Sequence, residues 1–411
     1  MLRDNKFIFA ISEQAVVSIS NLLLTMVISR IFGLDFLGQF VLALSLVQFF
    51  VTIQSSLIIF PVVSMKGFIG STDHWILAAS GIILSLIFTV FCCSVFWCIL
   101  IFASDIIPDW AKALNSISTI IWIFAVMSHD CIRKFLIAKQ ETKVVFISNC
   151  LLFFSSILIL TIGKFVGEKV SNLFSLLIPA YVFPYIIMTF YVWRRFDFNF
   201  FELVSLKFFS KVIRLGSWQG LSACQQWLSG NYLLIASAPI LGTKIIGMIR
   251  LIQTTLGLFH IILQVLQNYM PSLISNILSE SGKLKLRKEL LKFSLITSMI
   301  LLPTIFLILF YMDAFFEHLY LANLTISVGE MSWYVMYYIC IFTTLWISLG
   351  LRSLEYTWPL MLATTLIAIS SFIIGSSFDQ SLLVGEYLFF NALLQFLNLI
   401  IIVYFFIKKS V

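Results

Sequence analysis

The segment RLIQTTLGLFHIILQVLQNYMP, residues 250–271, sets an arginine and a histidine in a stretch otherwise apolar enough to cross a membrane. Arg250, Gln253, Gly257, His260, Gln264, Gln267 and Pro271 follow one another in steps of three and four, so on a helix they share one side. The chemistry such a stripe offers is recognition. A guanidinium holds a fixed charge and a fork of donors suited to phosphate or carboxylate, and primary amides exchange hydrogen bonds with hydroxyl groups. An arginine at the centre of a membrane helix costs ~2.5–3.5 kcal/mol on insertion scales. Arg250 stands about one turn from the expected outer end, where a long side chain can snorkel to the interface, whereas His260 has no such escape. Taken whole, the stripe points to a water-filled cavity.

Three further segments carry polar stripes at helical spacing. They are Gln14, Ser18, Asn21 and Thr25; Ser45, Gln48, Thr52 and Ser55; and Gln219, Ser222, Gln226 and Ser229. Polar side chains in hydrocarbon are costly unless they meet water or one another. Interhelical hydrogen bonding explains single Ser, Thr or Gln residues; cavity lining explains the stripes with Arg250 and His260 among them. Glu13, beside Gln14, reads either as an ion- or proton-coupling carboxylate or as an ordinary interfacial one. Asp130 can pair with Lys134 four residues on, and it is the second coupling candidate. Arg30 lies one turn from the outer end of its helix, within snorkelling reach.

The elements that position these residues follow from composition. Of 411 residues, 61% are hydrophobic and 11% charged, against about half and a quarter in soluble domains. Apolar runs of spanning length recur along the whole chain. The expected fold is an all-α polytopic membrane protein with twelve transmembrane helices, at about 9–32, 37–63, 75–102, 113–137, 143–163, 172–193, 214–240, 245–272, 292–312, 332–350, 356–375 and 382–407. The start, MLRDNKFIFAIS, lacks a small-x-small cleavage site and reads as a retained first helix. Basic residues gather on one side, in RRFDFNFFELVSLKFFSKVIR, KLKLRKELLK and the terminal KK; the opposite loops carry Asp35, Asp105, Asp109, Glu168, Asp313 and Glu317. The positive-inside rule then places both termini in the cytoplasm.

The chain also resembles itself. Asn21, Gly33, Gly38 and Pro61 line up with Asn231, Gly242, Gly247 and Pro271 at an offset of 209 or 210 residues. With six spans per copy, the repeat is parallel, about an axis along the membrane normal. Two six-helix lobes, 1–193 and 214–411, are expected around a central cavity, joined by an amphipathic linker, 194–213, on the cytoplasmic membrane surface.

The hairpin ISRIFGLDFLGQFVLALSLVQFF, with Arg30, Gly33, Gly38 and Phe40, its degenerate copy at 231–249, and the fourth-span ending RKFLIAKQETK with its counterpart RSLEYTWP resemble bacterial O-antigen flippases. These are the Wzx-type members of the multidrug/oligosaccharidyl-lipid/polysaccharide exporter superfamily. The second copy departs from the first in having Pro239 and no charge opposite Arg30. The resemblance implies alternating access in a bacterial inner membrane. It implies an undecaprenyl-pyrophosphate-linked oligosaccharide as cargo, moved from the cytoplasmic to the periplasmic leaflet, with a glycan polymerase and a chain-length regulator as partners beside the lipid bilayer. Cavity residues would be Arg250, His260, Gln253, Gln264, Gln226, Gln219, Gln48, Asn21 and Arg30.

Rival classes predict different residues. A drug exporter of the same fold calls for an acidic or aromatic cavity, and the seventh and eighth spans hold no carboxylate. A membrane-embedded glycan polymerase needs an external loop with a nucleophile, base and acid together, and 313–331 offers none. The seven cysteines lie nearly all in apolar runs without ligand spacing, so neither metal nor disulfide is expected. No phosphate loop or nucleotide-binding domain is present. No catalytic residue, cofactor or nucleic-acid partner is expected, and any energy would come from a proton or sodium gradient or from the cargo's own.

Overall fold

The computed structural model describes residues 5–64, 74–102, 117–139, 141–166, 173–195, 206–256, 328–353, 356, 358–378 and 383–410, with isolated residues between 285 and 311; side chains are described from residue 16 onward. The described residues are nearly all helical. In order, α1 is Asn5–Phe32, α2 Leu34–Gln54, a π-turn Ser55–Ile59, α3 Phe60–Ser64, α4 His74–Phe102, α5 Ile117–Ala138, α6 Thr142–Val166 and α7 Leu173–Arg194. Then come α8 Leu206–Leu241, α9 Thr243–Leu256, α10 Val328–Ser353, α11 Trp358–Ser376 and α12 Val384–Ser410.

Seven stretches among the described residues are long and apolar enough to cross a membrane: α2 with its continuation through the π-turn and α3, and α4, α6, α7, α10, α11 and α12. Those that fall short are informative. Helix α5 carries Asp130, Arg133 and Lys134, α8 carries Gln219, Gln225, Gln226 and Asn231, and α9 is short and holds Arg250. The chain is a polytopic all-α membrane protein.

The chain divides into two compact units, residues 1–224 and 225–411. Helix α8 runs unbroken across that division. It begins at Leu206, inside the stretch expected as a linker, because no proline or glycine interrupts 206–215 and the same face continues from Val212 to Gly216. The rest of that stretch, 196–205, lies outside the described residues.

The repeat has a local physical basis. Gly33 joins α1 to α2 with φ 90°, and Gly242 joins α8 to α9 with φ 80°. Each takes the same pair of bonds: Gly33 N–H donates to Ser29 O (3.0 Å) and Gly33 O accepts from Leu37 N–H (3.1 Å), while Gly242 N–H donates to Ala238 O (3.1 Å) and Gly242 O accepts from Ile246 N–H (3.3 Å). A positive φ lets one residue turn the chain between helices, a conformation that side-chain-bearing residues resist. Gly38 and Gly247, the next aligned pair, are both buried; Pro271, aligned with Pro61, lies outside the described residues.

In the N-terminal unit the core gathers around the π-turn. Ile58, Ile59 and Val62 pack with Ile82 of α4, Ile132 and Phe135 of α5, Met188 of α7 and Val212 of α8. Among the described residues of the C-terminal unit α10 and α12 form the most extensive helix pair, and Trp346 of α10 is buried with its ring stacked on Phe293 at 5.7 Å.

Candidate functional site

The polar stripes separate into two kinds. Asn21 on α1, Gln48 on α2, and Gln219 and Gln226 on α8 are exposed, and among the described residues none of their side chains bonds to another helix. Interhelical bonding is thus not what these four do. Their stripe neighbours behave otherwise: Thr25 is buried and donates to Asn21 O at 2.6 Å, and Ser45 is buried and donates to Val41 O at 2.9 Å. Small hydroxyls satisfy themselves on their own helix, whereas the longer amides do not. Arg30 is exposed at the end of α1.

Arg250 sits two turns into α9, about 10 Å along the axis at 1.5 Å per residue. Because the helix starts at Thr243, it is deeper than the sequence suggested. The side chain keeps some accessible surface, yet its guanidinium is enclosed by protein, with Tyr338 and Tyr334 of α10 as its polar neighbours. Among the described residues no carboxylate pairs with it. One turn on, the half-buried Gln253 fixes the same neighbours: the Tyr338 hydroxyl donates to Gln253 O at 3.3 Å, and the Tyr334 hydroxyl pairs with the Gln253 side chain. Tyr337 completes a cluster with ring centroids 5.8 Å from Tyr334 and 5.6 Å from Tyr338, and Tyr387 of α12 is buried beside it. The Tyr338 O–H is already given to Gln253, so a preference for anions rests on the guanidinium charge itself. His260 and Gln264, further along the stripe, lie outside the described residues.

A second constellation lies in the N-terminal unit. Asp130 Oδ1 accepts from Arg133 Nη2 at 3.0 Å, and Asp130 Oδ2 lies 2.6 Å from Lys134 Nζ. That second contact is off the hydrogen-bond direction and acts through charge. Lys134 Nζ spends its directed bond on Ser55 Oγ, at 2.6 Å, the first residue of the π-turn. The carboxylate and the cations are four-fifths or so buried. With two cations on one carboxylate the triad is net positive, which disfavours a further cation. His129 beside it is buried, its ring edge-on to Tyr181 with centroids 5.9 Å apart. The other coupling candidate, Glu13, belongs to α1, but its side chain is outside those described.

Gln54, which the spacing argument passed over, is fully buried and clamps α2 to α4. Its Nε2 donates to Ser85 O at 3.0 Å and to Thr89 Oγ1 at 2.8 Å. Its sequence signal was the amide six residues after Gln48, a spacing that turns it to another face. The tyrosines were equally missed, since YVMYY reads as an apolar interfacial run.

An apolar groove of about 350 Å³ opens between α4 and α5, lined by Val90, Cys93, Ser94, Trp97, Ile120 and Phe124 among others. It offers no charge, and its rim includes strongly exposed apolar side chains such as Val90 and Ile121. That is a lipid-facing surface, not a polar binding site.

No family model and no curated protein matches the sequence. Solved structures do. The chain is similar to the inward-facing conformation of a multidrug resistance MATE family transporter of the MOP superfamily, with a TM-score of 0.68 at 12% identity over 100% of this chain and 95% of that one. A MATE crystal structure in complex with MaD3S gives 0.66 at 13% identity, over 98% and 94% of the two chains. A MOP superfamily transporter from Pyrococcus furiosus, for which reverse polarity of the binding pocket suggests a different function, gives 0.62 at 15% identity, over 98% and 93%. The chain therefore has the fold of the MATE transporters of the MOP superfamily, end to end.

Proposed function

We propose that this protein is a transporter that moves a lipid-linked oligosaccharide, joined through pyrophosphate to a polyprenyl tail, across a bacterial inner membrane by alternating access, with both termini in the cytoplasm. The observation that carries this reading is Arg250: a guanidinium held among tyrosine hydroxyls, with no carboxylate partner among the described residues. A buried charge without a counter-ion is expensive, and an anionic cargo supplies the missing partner at each turnover. The exposed amides of Gln48, Gln219 and Gln226, with Asn21 and Gln253, suit sugar hydroxyls, and the hydrocarbon tail stays in the bilayer. In this reading His260, Gln264 and Arg30 also contact the cargo. Coupling to a proton or sodium gradient falls to Glu13 rather than to Asp130, whose charge two cations already hold. A glycan polymerase and a chain-length regulator are the fitting partners.

A second reading has its own support. The tyrosine cluster is the aromatic lining a cationic drug would use, and multidrug transporters share the fold. Fold alone does not choose between them, since one architecture hosts several functions. The charge of Arg250 favours the anion. The test is expression of Arg250→Glu, →Ala and →Lys at matched protein levels in a flippase-deficient strain, with ethidium efflux measured in parallel. The glycan reading expects surface glycan to disappear with Glu and Ala, to persist in part with Lys, and ethidium efflux to be absent throughout. Normal glycan from the Glu variant rules out the phosphate role, and efflux that rises when the arginine is removed favours the drug exporter.

A further inference from the structure

Four helix ends of the N-terminal unit share one apolar core. Ala138 at the end of α5, Val144 at the start of α6, Tyr191 and Val192 at the end of α7, and Phe208 and Val212 at the start of α8 belong to the same packed cluster. That packing gathers cations which the sequence scatters over separate segments: Lys139, Lys143, Arg194, Arg195, Lys211 and Arg214. Among the described residues of these ends one carboxylate, Glu141, stands against them, and it already accepts from the Tyr191 hydroxyl at 2.8 Å.

The two adjacent arginines are used differently. Arg195 Nη2 donates to the Tyr191 hydroxyl at 3.2 Å, which ties it through Glu141 to the start of α6. Arg194 is exposed, with its guanidinium carbon 4.6 Å from the centre of the Phe190 ring, and among the described residues it has no ion pair. A cation held over a ring engages the π face and needs none of its N–H groups to do so, so the fork of donors stays available. Phe190 in turn belongs to an outward stripe of α7. Phe183, Ile186, Phe190 and Trp193 recur in steps of three and four and are all exposed, on a helix apolar enough to span. The stripe therefore runs from hydrocarbon-facing side chains to aromatic rings and then a cation, the order met on passing from the bilayer core to its interface. Helix α8 shows the same order from the other direction: Lys211, Arg214, Trp218 and Leu221 share its outward face, opposite the buried Val212, Gly216 and Gly220.

We infer that this end of the N-terminal unit is a binding site for an anionic phospholipid of the surrounding membrane. The Arg194 fork grips the headgroup phosphate, a geometry that suits paired N–H donors. Lys143, Lys211 and Arg214, all exposed, set the preference for a headgroup with net negative charge over one that carries its own cation. The acyl chains lie along Phe183 and Ile186. A soluble phosphate would find the same charges but has no use for the apolar stripe that leads to them. The site lies wholly within one unit, and it depends neither on the cargo nor on Arg250.

The test is native mass spectrometry of the full-length, delipidated protein in detergent, titrated with dioleoyl phosphatidylglycerol or with dioleoyl phosphatidylcholine. The phosphatidylglycerol should bind at least about fivefold more tightly, since each basic residue near an anionic surface contributes a factor of roughly that size. Arg194→Gln should remove about fivefold of that affinity, and Arg194→Lys, which keeps the charge but not the fork, should remove less. Phe190→Leu keeps the apolar surface and should also weaken binding, because the guanidinium loses the ring that positions it. Lys244→Gln makes the same change of net charge at an exposed position of the C-terminal unit and should leave the affinity unchanged. Arg194 and Lys244 are both exposed, so each variant is expected to elute and melt as the parent does. Equal affinity for the two lipids overturns the site, as does unchanged phosphatidylglycerol binding by Arg194→Gln or an equal loss from Lys244→Gln. Displacement of the lipid by inorganic phosphate at comparable concentration would make this a soluble-anion site and overturn the lipid assignment.

Discussion

Asp130→Asn separates a structural carboxylate from a coupling one. The native side chain balances Arg133 at 3.0 Å and Lys134 at 2.6 Å, and only about a fifth of each of these side chains reaches the surface. Replacement by a neutral amide leaves two cations side by side in a poorly hydrated interior. Breaking a buried ion pair by removing one member costs roughly 3–5 kcal/mol. The partial exposure of both cations argues for the lower end, about 3 kcal/mol. For a unit of 224 residues, 1 kcal/mol corresponds to about 2 °C of melting temperature, so Asp130→Asn should lower Tm by roughly 6 °C. Lys134→Met is the control. It leaves Asp130 with Arg133 as a neutral pair, loses the bond to Ser55, and should cost only about 1 kcal/mol, or ~2 °C. The assay is thermal unfolding of the detergent-solubilised protein, followed by fluorescence-detected size exclusion. A Tm for Asp130→Asn within a degree of the parent, or an equal loss from both variants, refutes the triad as a structural device. A stable Asp130→Asn protein that has lost gradient dependence would restore Asp130 as the coupling residue.

Two further perturbations probe the frame. Gly33→Ala and Gly242→Ala should each destabilise by about 1–2 kcal/mol, because nothing crowds a Cβ at either position and the penalty is that of a positive φ alone; similar Tm losses are expected, and a large loss at one with none at the other would undo the equivalence of the two hairpins. Gln54→Leu removes two hydrogen bonds between α2 and α4 but keeps the volume, at an expected cost of about 1–3 kcal/mol. A Tm equal to the parent's would mean that the clamp contributes nothing.

What the sequence made legible and what it concealed divide along a physical line. Gly33 and Gly242 were readable because a turn between two helices demands a conformation that glycine adopts most readily, so backbone necessity leaves a residue-type trace at a fixed offset. The apolar spans and the ion pair of Asp130 with Lys134 were readable for a related reason, since hydrocarbon thickness and helical spacing each impose a count. Gln54 and the π-turn were not. Spacing fixes the side of a helix but not what covers it at each depth, so Ser45, Gln48, Thr52 and Ser55 look like one stripe, yet Ser45 and Ser55 are buried, Ser55 against Lys134, while Gln48 stays exposed.

The tyrosine cluster around Arg250 shows a different limit, and it bears on what this fold can carry. Tyr334, Tyr337, Tyr338 and Tyr387 are brought together by the pairing of α10 with α12 across about fifty residues of chain, and no local pattern announces that pairing. A fixed positive charge in an aromatic surround is a selective combination. The guanidinium repels an organic cation that the rings alone would attract, and it attracts an anion that the rings alone would leave unsolvated. The same α10–α12 frame with a neutral residue at 250 would favour the opposite sign of cargo. On the proposed reading, exchanging the residue at this one position on α9 should change the class of molecule accepted while the helices stay where they are.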